Sequence, residues 1–207
     1  MSCNSRCANR IKPEGLASAR TSAGSWRSAA AGVLAMLAML LATPAVATTE
    51  TASFKRSNGI NADFDRLGQG QLRFFGLHIY DAQLWASSPV NSGNYAQTPL
   101  ALTLTYGRNL KGPLIAERSL KEMRGIATVS DMQAQSWLTS MTKLFPNVIE
   151  GDQLTGVYVP GEKLTFWLNA RELGEVADPQ FARLFVGIWL DERSSEPALR
   201  SQLLGRK

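Results

Sequence analysis

The sequence predicts an α+β protein in which helices cover one side of an antiparallel sheet. Residues 71–86 and 100–106 have the composition of β-strands, two helical patterns follow between residues 113 and 146, and a hairpin and further helices complete the chain. This order of elements is typical of antiparallel sheets with helices segregated to one side. A hydrophobic content of 44% over 207 residues is enough for one core of ordinary size.

The strands are predicted from composition and alternation. Residues 71–86 are rich in β-formers and contain no proline, which predicts either a strand pair or one long bent strand with a bulge at Gly76. Residues 100–106 alternate leucine or tyrosine with small or polar residues, as a half-buried strand does. Residues 153–159 and 163–169 flank Pro160-Gly161-Glu162, a short hairpin loop, and residues 171–176 add a further strand. Before all of these, the polar residues 48–65 are expected to hold one short edge strand after the turn signal at residues 57–59.

The helices are predicted from their start and stop residues. Pro113 suits the first turn of a helix that we expect to end at Gly125. Ser130 or Asp131 can cap a second helix, which Pro146 ends. A third helix opens at residues 178–179, and a last one spans residues 196–204 with Ser194 or Ser195 as its cap. The apolar stripe of the third helix consists of Phe181, Leu184, Phe185, Ile188 and Trp189.

Residues 1–47 are predicted to be a secretory signal peptide, and residues 48–207 a single domain. A long basic region is followed by the uncharged run of residues 29–42, which is too short to span a bilayer. Ala45-Val46-Ala47 then supplies the small residues that precede signal cleavage, here before Thr48. An uncleaved amino-terminal anchor is the alternative. We therefore expect a periplasmic or secreted protein with no membrane span after cleavage.

The net charge of +5 comes mostly from this segment. Of 22 basic and 17 acidic side chains, five basic and one acidic lie in residues 1–47, so 17 basic and 16 acidic remain in the other 160 residues. No basic run interleaved with aromatic residues remains, so we expect no nucleic-acid partner. Cys3 and Cys7 would also be removed, which excludes disulfides and thiol chemistry from the mature domain.

Motifs for common catalytic chemistry are weak. His78 is the only histidine, too few imidazoles for a usual zinc site, and we interpret it as structural. Gly68-Gln69-Gly70 lacks the third glycine of a dinucleotide loop and precedes a strand, so no nucleotide cofactor is expected. The acidic pairs at residues 63 and 65 and at residues 191 and 192 are expected to be solvated surface.

A cationic group of residues is more informative. Arg73 lies within a largely apolar strand, Arg108 follows Tyr106 at the end of another, and Lys121 lies on the helix after it. If these elements are neighbours, two or three cations and a phenol would meet at the mouth of an apolar space, which suits an acid with a hydrophobic tail. The alternative is that the cations lie at element ends and extend into water.

Four segments of the chain together resemble the chalcone isomerase-like family, in its bacterial exported branch. They read RLGQGQLRFFGLHIYDAQLWA, LALTLTYGRNLKGPLIAERSLKEM, LFPNVIEGDQLTGVYVPGEKLTFWLN and FARLFVGIWLDERSSEPALRSQLLG. The resemblance implies an open-faced β-sandwich, a curved antiparallel sheet covered by helices with a ligand cleft between the two layers. It also implies one of two functions, ring closure of a chalcone or non-catalytic binding of fatty acids.

The site residues implied by the resemblance favour binding. Arg73 corresponds best to the family arginine, and Lys121 lies near the family lysine. The threonine that polarises the ketone in the enzymes is replaced by Phe75, and no tyrosine occurs between Lys121 and Phe145, where the enzymes have theirs. A phenylalanine cannot donate the hydrogen bond that a developing enolate needs.

The sequence therefore predicts a non-catalytic binder of a small acidic or amphipathic ligand such as a fatty acid, with Arg73, Tyr106, Arg108 and Lys121 as binding residues and no metal or cofactor. Two alternatives stay open: an isomerase or lyase acting on a chalcone-like enone, and a module that binds a partner in the cell envelope. The oligomeric state is not determined by these patterns.

Overall fold

The computed structural model describes residues 64–205. Six strands form one sheet in sequential order, each antiparallel to the next. They are β1 (Asp65–Phe74), β2 (Leu77–Ala86), β3 (Leu100–Tyr106), β4 (Gln153–Val159), β5 (Lys163–Leu168) and β6 (Arg171–Val176). Four helices accompany them: α1 (Gly112–Ile126) and α2 (Asp131–Leu144) between β3 and β4, and α3 (Pro179–Leu190) and α4 (Pro197–Leu203) after β6. The predicted α+β class is confirmed. The predicted signal peptide and the edge strand expected before residue 64 lie outside the described residues.

Residues 71–86 belong to a strand pair. β1 and β2 are joined by a tight turn at Phe75 and Gly76, both with positive φ, 47° and 77°. Turns of this hand match the twist of the two strands, although a phenylalanine rarely adopts this conformation. The turn therefore places an aromatic side chain where glycine or asparagine is usual.

The helix boundaries follow the predicted signals with two differences. Ser130 caps α2 in a reciprocal capping box with Gln133, and the Asp178 carboxylate accepts the first N–H groups of α3. Helix α1 continues past Gly125 to Ile126. The capping prediction for α4 is wrong: its N-cap residue is Glu196, whose side chain makes no cap hydrogen bond. The Ser194 hydroxyl donates to the Ile188 carbonyl and accepts from the Glu196 N–H, just before the helix.

The core lies between one face of the sheet and the helices. Alternate positions of two strands point into it: Ala82, Leu84 and Ala86 on β2, and Leu100, Leu102 and Leu104 on β3. Helix α3 is buried along nearly its whole length against β4, β5 and α1. Aromatic rings pack edge to face at its centre, with Phe166 and Phe185 only 5.0 Å apart between centroids. A smaller apolar cluster containing Trp85, Ala101 and Val157 occupies the opposite face of the sheet.

Gly68 and Gly70 bring α4 against the edge strand. A Cβ atom at Gly68 would collide with the backbone carbonyl of Leu203, and one at Gly70 would collide with the Gln202 side chain. Because glycine has no side chain, this stretch lets the helix pack closely on the strand, which is a common use of glycine at such contacts. This supplies a structural role for the Gly68-Gln69-Gly70 pattern.

Candidate functional site

An apolar cavity of about 250 Å³ lies between the sheet and the helices α1 and α3. Residues from four strands, both helices and the segment before α4 contribute to its wall. Its apolar lining includes Leu72, Ile79, Leu104, Leu154, Phe185 and Ile188. A cavity with this lining is suited to a hydrocarbon chain or ring.

Two tyrosines supply the polar groups of the sheet side. Tyr80 on β2 and Tyr106 on β3 are cross-strand partners, and their rings meet edge to face at 6.2 Å. Burial raises the pKa of both phenols well above the usual range, so they stay protonated at neutral pH. The Tyr80 hydroxyl accepts a hydrogen bond of 3.0 Å from the Trp189 indole N–H. Both phenols can therefore serve as neutral hydrogen-bonding groups for a ligand.

Helix α1 supplies a charged edge to the cavity. Arg118 and Glu122, one turn apart, both line it, and their Nε and Oε1 atoms are 2.7 Å apart. The Arg118 side chain is 52% exposed and that of Glu122 only 16%, so the guanidinium is at the boundary between cavity and solvent. Glu196 lines the same cavity. The cation available to a ligand is thus already paired with a carboxylate.

Of the four residues predicted to bind the ligand, the structure places Tyr106 in the cavity wall. Arg73 does not line it, because it alternates with Leu72 and Phe74, which do. Its guanidinium is exposed and donates to the Gln71 side chain at 2.6 Å and to the Gly76 carbonyl at 3.2 Å. The guanidinium predicted to hold a carboxylate instead braces the β1–β2 hairpin.

Arg108 and Lys121 also lie outside the cavity lining. Arg108 is partly buried beside the start of β2, and its Nε atom is buried without a hydrogen-bond partner. Lys121 is exposed on α1. The predicted convergence of three cations with a phenol is therefore not formed around this cavity.

Sequence reasoning missed Arg118, Glu122 and Tyr80. The signal was present in the spacing of α1, where Leu114, Arg118 and Glu122 recur every four residues beside Ile115 and Ser119. That arrangement is a mixed apolar and charged stripe. Lys121 lies just outside this stripe.

The remaining candidates for chemistry lie away from the cavity. Phe75, at the position where the resemblance implied a threonine, is 90% exposed in the hairpin turn. His78 is partly buried, with its Nε2 atom 3.3 Å from an Asp81 carboxylate oxygen. Residues 64–205 contain no group of three or more potential metal ligands.

One acidic prediction needs correction. Asp191, expected to be solvated surface, is buried and accepts hydrogen bonds from Arg193 and from the Tyr95 hydroxyl. Although burial opposes its ionisation, these hydrogen bonds lower the pKa of Asp191 to about 2. It joins the end of α3 to the loop before β3 and does not line the cavity.

The fold and cavity together define an α+β protein with an internal cleft between an open antiparallel sheet and its covering helices. The family model described as chalcone isomerase-like matches residues 62–205, and the chain belongs to that family. Among solved structures, it is similar to the crystal structure of a fatty-acid binding protein from Arabidopsis thaliana, with a TM-score of 0.52 and 13% identity. That similarity covers 70% of this chain and 89% of the plant protein. No curated protein sequence matches the chain. Within the described part of the chain, no helix has the length and apolar character needed to cross a membrane.

Proposed function

We propose that this protein is a non-catalytic binder of a small amphipathic acid, such as a fatty acid, held in the cavity between the sheet and α1. The observation that carries the proposal is the position of Arg118 at the edge of an otherwise apolar cavity. A hydrocarbon tail would occupy the space around Leu104 and Ile188, and its carboxylate would reach the guanidinium. The fatty-acid binding of the plant protein with a similar fold supports this choice of ligand class.

The cavity size limits the length of the enclosed chain. At about 250 Å³ it exceeds the 150 Å³ or so that holds a benzene ring and lies just below the range typical of drug-sized ligands. We therefore expect a medium-length acyl chain to be enclosed, whereas a longer chain would extend through the mouth.

The ionised pair shapes the expected affinity. A ligand carboxylate must share Arg118 with Glu122, which already accepts from it at 2.7 Å. Because the arginine is half exposed, the gain from its contact is reduced by solvent and by this competition. We expect modest affinity, with most of the binding free energy supplied by burial of the chain.

Catalysis of ring closure is not supported by the site. Phe75, at the position of the enzymes' threonine, is at an exposed turn and does not line the cavity, so it supplies no donor there. An enzyme of that kind needs donors aimed at the developing enolate, each worth about 3–4 kcal/mol. Turnover of a chalcone by the wild type, lost on Tyr106→Phe, would replace the binding proposal by the isomerase alternative.

Trp189 offers a direct test, since its indole forms part of the cavity wall. Titration with laurate should change the tryptophan fluorescence. Arg118→Ala should weaken laurate binding by about 3- to 10-fold, which is less than the full effect of losing a charge-assisted hydrogen bond because Arg118 is half exposed to solvent. Dodecanol, which lacks the carboxylate, should bind both proteins alike. Lys121→Ala on the same helix is the matched control. No laurate binding at micromolar protein, or equal losses in both variants, would refute the proposal.

We further propose that the protein belongs to an exported, bacterial branch of the family. The apolar run of residues 29–42 and the Ala45-Val46-Ala47 triplet support this. Cell fractionation followed by intact mass measurement should find a periplasmic form that begins at Thr48. A cytoplasmic protein retaining residues 1–47 would contradict it.

A further inference from the structure

The tip of the β1–β2 hairpin is an exposed apolar surface. Phe74, Phe75 and Leu77 on the hairpin and Leu114 at the start of α1 are 51%, 90%, 54% and 56% exposed, respectively. We call these four residues the tip patch. Single exposed apolar residues are common on protein surfaces, whereas adjacent large ones mark interaction sites.

The local structure holds the aromatic side chains outward. The Phe74 and Phe75 rings contact each other edge to face at 4.5 Å, and Arg73 braces the turn by donating to the Gly76 carbonyl. Apart from its two chain neighbours, no heavy atom lies within 4 Å of a Cβ built on Gly76. Phe75 adopts a positive φ that is unfavourable for a phenylalanine, and no burial compensates for it.

The tip patch is continuous with the lining of the ligand cavity. Phe74 and Leu114 belong both to the patch and to the cavity lining, so the apolar surface continues from the outside of the protein into its interior. A hydrocarbon chain entering between them would remain in contact with apolar side chains throughout. A patch placed in this way suits a source of hydrocarbon chains.

Basic residues border the patch. Arg73 is on the hairpin itself, and Lys111 immediately precedes α1. Arg108 lies beside the start of β2, because the N–H of the preceding residue, Gly107, donates to the Ile79 carbonyl.

Three acidic residues lie on neighbouring segments: Asp81 on β2, Glu117 one turn after Leu114 on α1, and Glu150 in the loop before β4. Asp81 is already engaged by the Gln71 amide and is near His78. Within residues 72–77 and 107–111, which lie next to the tip, the charged side chains are Arg73, Arg108 and Lys111, all of them basic. This local positive charge would oppose the apposition of two copies and favours an anionic surface.

We propose that the tip patch docks on an anionic phospholipid bilayer, with the aromatic side chains in the interfacial region and the bordering cations on lipid phosphates. Interfacial binding of this kind scales with the buried apolar area and with attraction to anionic lipids. Docking would bring the end of the cavity at the tip patch to the bilayer surface, so that an acyl ligand passes between bilayer and cavity without crossing water. The transfer of ligand rests on the proposed function, whereas docking does not.

The test compares full-length proteins on vesicles of phosphatidylglycerol and phosphatidylcholine. The variant Phe75→Asn/Leu77→Ser removes apolar surface outside the cavity lining, and asparagine tolerates the positive φ of the turn. We expect its vesicle affinity to fall by about tenfold or more, because two large apolar side chains no longer enter the interfacial region. Met132→Ser, at an 84% exposed methionine on α2, is the matched control and should retain binding.

A second measurement reports on the tip patch alone, so a contribution of residues 1–63 to vesicle binding does not affect it. A tryptophan introduced by Phe75→Trp should be quenched by brominated lipid, and one introduced by Met132→Trp should not. Lack of quenching at position 75, or equal vesicle affinity of the tip variant and wild type, would overturn the proposal. Concentration-dependent dimers abolished by the tip variant would assign the patch to a second copy and also overturn it.

The same variant separates the two proposals. Laurate affinity in solution should be unchanged in Phe75→Asn/Leu77→Ser because neither residue lines the cavity. Vesicle docking by a protein that binds no laurate would uphold docking and refute the ligand. Laurate binding by a protein that does not dock on vesicles would uphold the proposed ligand and refute docking.

Discussion

The indole N–H of Trp189 donates a hydrogen bond of 3.0 Å to the Tyr80 hydroxyl, joining residues 109 positions apart in the chain. The bond links α3 to β2 across the cavity wall. It orients the indole and leaves the neighbouring Tyr106 phenol facing the same space.

Tyr80→Phe should lower the free energy of unfolding by about 1–3 kcal/mol, because it leaves a buried indole N–H without its acceptor. A double-mutant cycle with Trp189→Phe should give a coupling of about 0.5–1.5 kcal/mol from urea denaturation. Additive effects would show that the hydrogen bond contributes nothing to stability.

Glu122→Gln should strengthen laurate binding by several-fold, because it removes the carboxylate that competes for Arg118. Dodecanol affinity should not change, since the alcohol carries no charge. Isothermal titration calorimetry of both ligands would measure this. Weaker laurate binding in the variant would place the carboxylate elsewhere.

Ile188→Phe should block the cavity, because the longer side chain extends into the space that Ile188 borders. We expect laurate affinity to fall by at least about tenfold while the thermal midpoint changes little, since overpacking is avoided where empty volume exists. Ile188→Val, which only removes a methyl group, should keep binding. Unchanged affinity in Ile188→Phe would locate the ligand outside this cavity.

Gly68→Ala should destabilise the fold by about 1–3 kcal/mol, because the added methyl group meets the Leu203 backbone carbonyl. Gly125→Ala, whose methyl group meets nothing within 4 Å in α1, should instead stabilise it by about 0.5–1 kcal/mol. Chemical denaturation of the two variants would check the opposite signs. Equal effects would contradict the close packing of α4 on β1.

Asp191 should make stability sensitive to acid. Its folded pKa of about 2 lies below the usual aspartate value of about 3.9, so its contribution is complete above about pH 4 and is lost as pH falls toward 2. The shift corresponds to about 2 kcal/mol. Asp191→Asn should flatten the unfolding free energy in this window, whereas Asp131→Asn, at a fully exposed carboxylate, should not. An unchanged slope in Asp191→Asn would refute the assignment.

The helices, most of the strands and their one-sided arrangement were predictable from the sequence, although β1 begins at Asp65, six residues before the predicted start at residue 71. Alternation along residues 100–106, the stops at Pro146 and the caps at Ser130 and Asp178 are local signals, and the structure uses each of them. Local signals suffice here because backbone hydrogen bonding and the burial of one face depend on residues near one another in the chain.

The ligand site was only partly predictable. Tyr106 was predicted as a site residue because its strand ends beside charged residues, and it lines the cavity. Arg73 was predicted as well, but it alternates along its strand with Leu72 and Phe74, which line the cavity, and its own side chain does not. Arg118, in contrast, is one of several charged residues along α1, and no local pattern distinguishes it from the others. Its partner Glu122 lies on the same turn and gives no indication of what the pair faces.

Local residue patterns set which segments become strands and helices and which of their faces are apolar, because these patterns depend on neighbours within a few residues. The gap between the sheet and the helices α1 and α3, and the position of Arg118 beside it, come from packing across the whole domain. A cavity depends instead on how side chains from four strands and two helices fill a shared volume.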